Sequence, residues 1–352
     1  MIPIIIIISI GILILVHEFG HFLAAKVMGI RVKEFAVGFG PALVSFGGGE
    51  TKYRINALLL GGYVKFYNLG DDSEDKGLLF EGDELETKPF FQKAVVVVSG
   101  VVANLVVALL VLLVLAFVYG TPQTIAKLGR IFPNGPAAEA GFRSGDIITE
   151  VDGEKIDQGE ELARIIGSSA DREIEVVVDR AGERRVLRVT PAHDRELDRA
   201  VIGVRIETTL NFLKEGLVSR IVWAFGQFGR AIGLIIIFLG QLFTAKASID
   251  TLAGPIGMVK ISSEVAQFSL YSFIFLQAFI SINLAVLNLL PLPPLDGGRL
   301  LLYGVEAVRR RPLSYGVKGA IIGAGVIILL TLFVFVTFND IERLVTGKDF
   351  LP

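Results

Sequence analysis

The chain has 352 residues, of which 52% are hydrophobic and only 20% are charged, and its formal net charge is -2. This composition is too apolar for an ordinary soluble domain and predicts several membrane-spanning helices together with a soluble part. The near-neutral charge gives no electrostatic reason to expect nucleic acid as a partner, and the absence of cysteine excludes disulfides and thiolate metal ligands.

Four apolar stretches are long enough to cross a bilayer. A further apolar segment, 221–243, is ambiguous because its uninterrupted apolar centre is short and Gln227, Arg230 and Gln241 break it up. Such a segment favours a helix that lies on the membrane surface. We therefore predict a polytopic α-helical membrane protein with four transmembrane helices. These cover about residues 4–26, 94–119, 268–290 and 317–338.

Two less apolar regions separate these helices. Residues 27–93 contain short alternating stretches bounded by glycine, which predict a small membrane-associated β-hairpin region. Residues 121–206 contain alternating stretches at 174–178 and 185–189, which predict strands of an inserted mixed α/β domain. The predicted domains are an N-terminal membrane part, 1–120, the soluble domain, 121–206, a surface-helix region, 207–266, and a C-terminal membrane part, 267–352.

The most specific feature is the sequence HEFGH, residues 17–21, inside the first apolar stretch. Two histidines four residues apart, His17 and His21, lie on one face of a helix and can bind one zinc ion. Glu18 follows the first histidine and can act as a general base toward a water molecule. Ionisable side chains are costly inside a membrane, so three of them within one turn predict a functional metal site.

A catalytic zinc typically takes a third protein ligand. His193 lies at the end of the soluble domain, and we expect it at the surface instead. Asp296 closes the sequence NLLPLPPLD, which starts at Asn288, although a turn aspartate at a helix exit is the alternative interpretation. The histidine pair and Asp296 lie toward the C-terminal ends of their stretches. These ends meet only if both helices cross the membrane in the same direction. An odd number of crossings must then separate them. The stretch 94–119 supplies one crossing, so 221–243 should not cross, and the total is four.

Basic residues near the ends of membrane helices set the orientation, because they stay on the cytoplasmic side. They are concentrated in the region 27–93 and after the third predicted span. Both regions therefore face the cytoplasm in this prediction, and the soluble domain and both chain termini lie outside. The metal site then lies within the membrane, nearer its cytoplasmic face. The basic residues are Arg31, Lys33, Lys52, Arg54, Lys65, Arg299, Arg309, Arg310 and Arg311.

The HExxH sequence and the N-x-x-P-x-P-x-L-D-G sequence together resemble those of the site-2 protease family of intramembrane zinc metalloproteases. The soluble domain, with GPAAEAGFRSGDII at 135–148 followed by VDG, resembles a single bacterial PDZ domain, as in the RseP/RasP-like subgroup. The resemblance implies zinc ligands, a catalytic glutamate and two asparagines that steady the substrate backbone or the oxyanion. The implied ligands are His17, His21 and Asp296, and the implied catalytic residues are Glu18, Asn283 and Asn288.

Two substrate-binding segments are expected as well. A strand edge within 63–69 would hold an unwound substrate by strand addition, although an ordinary structural hairpin is the alternative. Gly203 would let backbone amides of the PDZ-like domain approach a chain end. The residues expected to bind substrate are Tyr63, Val64, Lys65, Phe66 and Gly203.

The resemblance implies single-pass membrane proteins as substrates, such as anti-sigma factors or remnant signal peptides, which the PDZ-like domain would filter. It also implies location in the bacterial cytoplasmic (inner) membrane, with the lipid bilayer as the surrounding partner. The alternative function is a zinc-dependent membrane scaffold or carrier without proteolysis. Glu18 argues against a carrier, because metal transport needs ligands but no general base.

Overall fold

The computed structural model of the protein describes residues 2–47, 49–67, 84–133, 135–156, 159–194, 199–244 and 252–346. The chain forms two compact units. The first unit combines Met1–Ala116 with Ile221–Pro352, and the second unit is Phe117–Arg220. The second unit is thus an insertion into the sequence of the first, and each unit is described here by itself.

The elements follow one another from a long N-terminal helix to a long C-terminal helix. In chain order they are α1 (Ile2–Val27), β1 (Val32–Phe46), β2 (Lys52–Phe66), a short 3-10 helix (Glu84–Thr87), α2 (Phe90–Val118), β3 (Thr121–Ile131), α3 (Pro136–Glu139), β4 (Ile147–Val151), β5 (Glu154–Lys155), α4 (Gly159–Gly167), β6 (Ile174–Arg180), β7 (Glu183–Val189), β8 (Ala192–Asp194), β9 (Arg199–Val201), β10 (Val204–Leu213), α5 (Leu217–Phe243), α6 (Pro255–Phe268), α7 (Leu270–Asn288), α8 (Asp296–Arg309) and α9 (Tyr315–Thr346).

Five helices of the described residues, α1, α2, α5, α7 and α9, are long and apolar enough to cross a membrane, judged by length and composition alone. Four of them coincide with the predicted spans. The helix α7 ends at Asn288, three residues before Pro291, because proline and the residue before it do not continue a helix. The helix α9 is longer than predicted, since it continues through polar residues as far as Thr346.

The helix α5 is continuous over 27 residues, although its sequence suggested an interrupted surface segment. Its small residue Ala224 and its Ile235 are buried, in one apolar cluster with Ala108 of α2 and Ala278 of α7. Arg230 is exposed, so the polar interruptions do not prevent packing. Length and composition add α5 to the candidate spans, and the surface location remains a prediction.

The directions of three helices follow from their contacts. Ile7 and Ile280 line one apolar cavity, and further along both helices the side chains of His17 and Asn288 meet, so α1 and α7 run in the same direction. The helix α2 runs the opposite way, because Val96 contacts His21 whereas Gly100, further along α2, also reaches back to His17, which lies earlier in α1. A site shared by the C-terminal parts of α1 and α7 requires these two helices to run in the same direction, as they do.

The strands β1 and β2 form a sheet in which β1 has β2 on both sides of its first half. Glu34 pairs with Lys65 on one side and with Lys52 on the other. The segment 53–55 also pairs with the second half of β1, so it lies in the interior of the sheet. The segment 62–66 pairs with β1 alone and forms an edge among the described strands.

The second unit is built on a sheet with the strand order β10-β3-β4-β6-β7, with β5 paired to β4. The predicted strands at 174–178 and 185–189 are β6 and β7, and they pair antiparallel. Alternate residues of β6, such as Ile174, Val176 and Val178, are buried in an apolar core that also contains Leu162 of α4. The mixed α/β character that the sequence predicted is therefore present in this unit.

Asp146 is a buried charge in this core. Its carboxylate accepts hydrogen bonds from Arg180 Nε and Nη2, both at 2.7 Å, and from the backbone N–H of Arg143 at 2.9 Å. Burial alone would raise the pKa of Asp146, but these donors hold it below its ordinary value. A carboxyl group whose pKa is lowered by folding stabilises the folded state fully above its unfolded pKa, about 4, and this contribution is lost as the pH falls through the lowered pKa of the folded state.

We expect Arg180→Met to lower the melting temperature of the fragment 117–220 by several degrees at pH 7, because Asp146 loses its main donors. The difference from wild type should shrink as the pH falls below about 4, where Asp146 of the unfolded chain becomes protonated, and should disappear once the pH is below the lowered pKa of the folded state. Arg185→Met is the control, since Arg185 pairs only at the surface, with the exposed Glu183. Thermal unfolding followed by circular dichroism measures both, and a pH-independent loss would contradict the electrostatic explanation.

Candidate metal centre

His17, His21 and Asp296 come together in the first unit, and all three side chains are buried. His17 Nε2 lies 3.0 Å and His21 Nε2 lies 3.4 Å from the same oxygen, Asp296 Oδ2. The two Nε2 atoms are 3.1 Å apart. Two imidazole nitrogens and one carboxylate oxygen are a donor set that zinc takes in catalytic sites, where the fourth position is left for water.

The orientation of His21 is set by α2. Its Nδ1 atom lies 2.7 Å from the backbone carbonyl oxygen of Val96. Since a carbonyl oxygen can only accept, we assign the proton to Nδ1, which leaves Nε2 with a free lone pair. The imidazole is therefore held in the tautomer that binds a metal through Nε2.

Gly100 of α2 lies directly against the two imidazole rings. A Cβ atom at this position would overlap His21 Nε2 and would lie 2.6 Å from His21 Cε1 and 2.8 Å from His17 Cε1. Only a residue without a side chain lets α2 approach this closely. The backbone of α2 thus lies against the edge of the imidazole rings that carries the metal-binding Nε2 atom of His21.

Asp296 occupies the first turn of α8, a helix that the proline- and glycine-rich sequence did not lead us to predict. A carboxylate is favourable there, because the helix N-terminus carries a partial positive charge. Gly297 and Gly298 follow, and a Cβ atom on either would overlap the backbone of the segment 289–293. The chain therefore folds tightly beneath the start of α8 and brings Asp296 to the histidines.

The three residues fit a bound cation. Asp296 Oδ2 is buried and makes no hydrogen bond of acceptable geometry among the described residues, although both Nε2 atoms are close to it. Buried carboxylate oxygens are rarely left unsatisfied. A metal ion held by Asp296, His17 and His21 would satisfy this oxygen and both nitrogens at once.

A cavity of about 380 Å³ opens beside these ligands. Glu18 and Asn288, two of the predicted catalytic residues, line it, and Asn288 Nδ2 is 3.5 Å from His17 Nε2. Asn283 is half-buried on α7 and is not among the lining residues, so its catalytic role remains a prediction. The lining residues are Ile14, His17, Glu18, His21, Asn104, Leu284, Asn288, Pro294, Leu295, Asp296 and Arg299.

Two polar lining residues, Asn104 and Arg299, were not predicted as site residues. Asn104 follows Gly100 by four residues and so lies on the same face of α2, a spacing that could have indicated it. Arg299 was interpreted only as a determinant of membrane orientation, and it lies one turn after Asp296 in α8. His193, the rejected ligand, lies in β8 of the second unit.

The expected substrate-binding edge is close to α1. Tyr63, Val64, Lys65 and Phe66 belong to the edge segment of β2, whereas the last residues of the predicted 63–69 segment, 68 and 69, lie outside the described residues. A Cβ atom on Gly61, just before this segment, would lie 2.8 Å from Ile14. Since Ile14 also lines the metal cavity, the edge segment begins beside the site.

Gly203 lies in the second unit between β9 and β10. Its φ of +73° is in the left-handed region that favours glycine. Its carbonyl oxygen accepts a hydrogen bond of 2.9 Å from the N–H of Phe132, and its Cα atom lies close to Gly135. The geometry requires glycine here, and the expected role in binding a chain end remains a prediction.

A histidine pair lies in α1, a helix long and apolar enough to span a membrane, and meets Asp296 at the start of the shorter helix α8. This arrangement is typical of a membrane-embedded metal-dependent hydrolase. The family model described as Peptidase family M50 matches residues 5–332, and the chain belongs to this family.

The relatives agree with this class. The chain is 30% identical to the zinc metalloprotease RasP of Oceanobacillus iheyensis, over 95% of this chain and 97% of that protein. It is 29% identical to the regulator of sigma-W protease RasP of Bacillus subtilis, over 96% of this chain and 97% of that protein. The protein is therefore a membrane zinc metalloprotease of the site-2 type.

Among solved structures, the PDZ domain of the SdrC-like protein of Listeria monocytogenes matches 24% of this chain and 87% of that chain. The identity is 19% and the TM-score is 0.22. This similarity is too low to assign the fold of the second unit.

Proposed function

We propose that the protein hydrolyses peptide bonds within the transmembrane segments of single-pass membrane proteins. The observation that carries this proposal is the position of the metal centre. His17 and His21 lie inside α1, a helix apolar and long enough to span a membrane, and not in a soluble region. A catalytic centre there is suited to peptide bonds that a water-soluble protease cannot reach.

The residues of the cavity divide the chemistry among them. His17, His21 and Asp296 hold the zinc ion, which when bound polarises a peptide carbonyl and lowers the pKa of a water molecule. Glu18 takes the proton of the attacking water and passes it to the amine nitrogen that departs. Asn288 donates a hydrogen bond to the carbonyl oxygen as negative charge develops on it.

Asn283 is proposed to steady the substrate backbone from α7, although it lies outside the cavity lining. Residues 283 and 288 are five positions apart and do not share a face of a regular helix. Of the two, Asn288 has the stronger support, because its amide lies 3.5 Å from a proposed zinc ligand.

The substrate must be unwound before it is cut, because a helix shields its peptide bonds by internal hydrogen bonding. We propose that the edge segment of β2, Tyr63–Phe66, binds the unwound chain as an added strand. Its start beside Ile14, which lines the metal cavity, supports this role. The added strand would then lead into the catalytic cavity.

The cysteine-free chain allows a direct test of this edge. We expect Lys65→Cys to form a disulfide with a single cysteine in the transmembrane segment of a substrate, in the background of Glu18→Gln. Lys52→Cys is the matched control, because Lys52 is also exposed and pairs with the same residue, Glu34, but on the other side of β1. Equal crosslinking of both variants would contradict strand addition at the 62–66 edge.

The second unit is proposed to filter substrates as a PDZ domain, either by binding a newly exposed chain end near Gly203 or by excluding bulky proteins. The conformation of Gly203 supports the first possibility, since glycine lets backbone amides approach a carboxylate. Partial shortening of a substrate by another protease would expose such an end.

We propose four crossings, with the soluble unit and both termini outside the cytoplasm. The helices α1 and α7 run in the same direction and α2 runs oppositely. If α5 crossed, the chain would therefore have to return through the membrane before α7. The described helix in that stretch, α6, has 14 residues and is about 21 Å long, shorter than a hydrocarbon core of about 30 Å.

The accessibility of the two ends of α5 tests the proposed number of four membrane crossings. We expect Val218→Cys and Thr244→Cys to react with a membrane-impermeant maleimide from the outside of spheroplasts, because α5 stays on that surface. Arg310→Cys, between α8 and α9, should react only after permeabilisation. Reaction of Thr244→Cys only after permeabilisation would mean that α5 crosses the membrane.

The proposed substrates follow from the relatives. The Bacillus subtilis relative is named a regulator of sigma-W protease, so anti-sigma factors of a bacterial inner membrane, and remnant signal peptides, are the substrates to test. Purified protein in lipid vesicles should cut such a substrate inside its apolar segment, as mass spectrometry of the products will report. Cleavage confined to the soluble flanks, or zinc uptake into vesicles without cleavage, would contradict the proposal.

A further inference from the structure

Asn104 lines the metal cavity from α2, and its side chain makes no described hydrogen bond to the metal ligands or to the proposed catalytic residues. It lies one helical turn beyond Gly100, the residue that packs against the histidine rings. It lines the same cavity as Glu18 and Asn288. Its exposed fraction is 0%, so the side chain is fully enclosed by the first unit.

Both polar atoms of this side chain lack a hydrogen-bond partner among the residues that the structure describes. The backbone carbonyl of Asn104, in contrast, accepts a hydrogen bond of 2.9 Å from Ser281 Oγ, which ties α2 to α7 at this level. Buried amide groups are normally satisfied, because leaving one unpaired is costly. An enclosed amide beside a catalytic cavity therefore indicates a partner that arrives with the substrate.

The chemistry of the amide identifies that partner. Its Nδ2 donates and its Oδ1 accepts, as a peptide bond does. A transmembrane segment that is unwound for cleavage has N–H and C=O groups without partners, and the membrane offers no water to satisfy them. We infer that Asn104 binds a peptide group of the unwound substrate beside the bond that is cut, with Nδ2 donating to its carbonyl oxygen and Oδ1 accepting from its N–H. This inference rests on the proposed function.

The role differs from the one proposed for Asn288. The amide of Asn288 lies 3.5 Å from the Nε2 atom of His17, near the reacting atoms. The side chain of Asn104 makes no described hydrogen bond to a metal ligand, and it lines the cavity from α2. A group that binds the backbone equally before and during the reaction affects substrate affinity, whereas an oxyanion donor affects turnover.

The test measures binding of a fluorescent single-pass substrate to Glu18→Gln protein in nanodiscs. Adding Asn104→Leu, which keeps the approximate volume, should weaken binding about 10-fold and leave zinc content unchanged. Gln277→Leu is the matched control, because both amide atoms of Gln277 also lack described hydrogen-bond partners but this residue does not line the cavity. With Glu18 intact, Asn104→Leu should raise KM about as much and change kcat less.

Asn104→Ser is the second variant, because a smaller side chain cannot crowd the histidines. Unchanged affinity in the leucine variant, or an equal loss in Gln277→Leu, overturns the inference. If Asn104→Leu loses zinc, substrate affinity is measured in Asn104→Ser, which should bind zinc normally and the substrate more weakly. Loss of zinc in both variants would mean that Asn104 has a structural role, and would also overturn the inference. If Glu18→Gln with Asn104 intact does not bind the substrate at all, the proposed function fails and not only this inference.

Discussion

Replacing Glu18 with glutamine is expected to lower kcat for a transmembrane substrate about 10³-fold. Glutamine has nearly the same size but cannot accept the proton of the attacking water. Zinc should remain bound, because the proposed ligands are His17, His21 and Asp296 and their atoms are held by contacts that do not involve Glu18. Zinc content by elemental analysis and cleavage kinetics in lipid vesicles measure the two quantities separately.

Glu264→Gln is the matched control for this variant, because Glu264 is exposed on α6 and does not line the metal cavity. It should cleave at the wild-type rate. In cells, a transmembrane fragment should accumulate in the Glu18→Gln strain alone. If that variant keeps more than about a tenth of the wild-type kcat, Glu18 is not the general base.

The second large effect is expected at a residue that carries no functional group. Gly100→Ala should weaken zinc binding about 10- to 100-fold, a loss typical of disturbing the support of a metal ligand. The added methyl group would overlap His21 and approach His17 Cε1 to 2.8 Å. His21 cannot move away without breaking its 2.7 Å contact with the carbonyl oxygen of Val96.

Zinc affinity can be measured by competition with a chelator of known affinity. Gly233→Ala is the matched control, because a Cβ atom on Gly233 of α5 would meet no other described atom within 4 Å, the backbone of its own helix apart. It should bind zinc as the wild type does. Wild-type zinc affinity in Gly100→Ala would mean that α2 can withdraw from the histidines without cost, and that the close approach is not needed for the site.

The sequence predicted the long apolar helices and the histidine pair because both depend on local features, namely run length and a spacing of four residues. It did not predict α8. Gly297 and Gly298 disfavour a helix locally, yet both lie in the first turn of α8. Glycine is needed at these positions because the segment 289–293 passes too close for any side chain. Here tertiary packing determines the conformation, and the local sequence pattern contains no information about that packing.

Some cavity residues could likewise be predicted from the sequence, and others depend on tertiary packing. Asp296 could be selected as a ligand because it follows a span that must run in the direction of α1. Asn104 and Arg299 were missed as site residues, since their role depends on which face of α2 and α8 meets the cavity. Likewise, alternation predicted β strands, but it could not predict that β1 pairs with β2 on both sides.

The partner of His21 Nδ1 has a further consequence. In this site the group that orients the ligand is the backbone carbonyl of Val96, which belongs to another helix. No side-chain substitution can remove that carbonyl, so the orientation of His21 does not depend on which side chain position 96 carries. This contact also links metal affinity to the spacing between α1 and α2, and this linkage is reciprocal. A bilayer that draws the two helices apart would release zinc, and a bound zinc ion would hold them together.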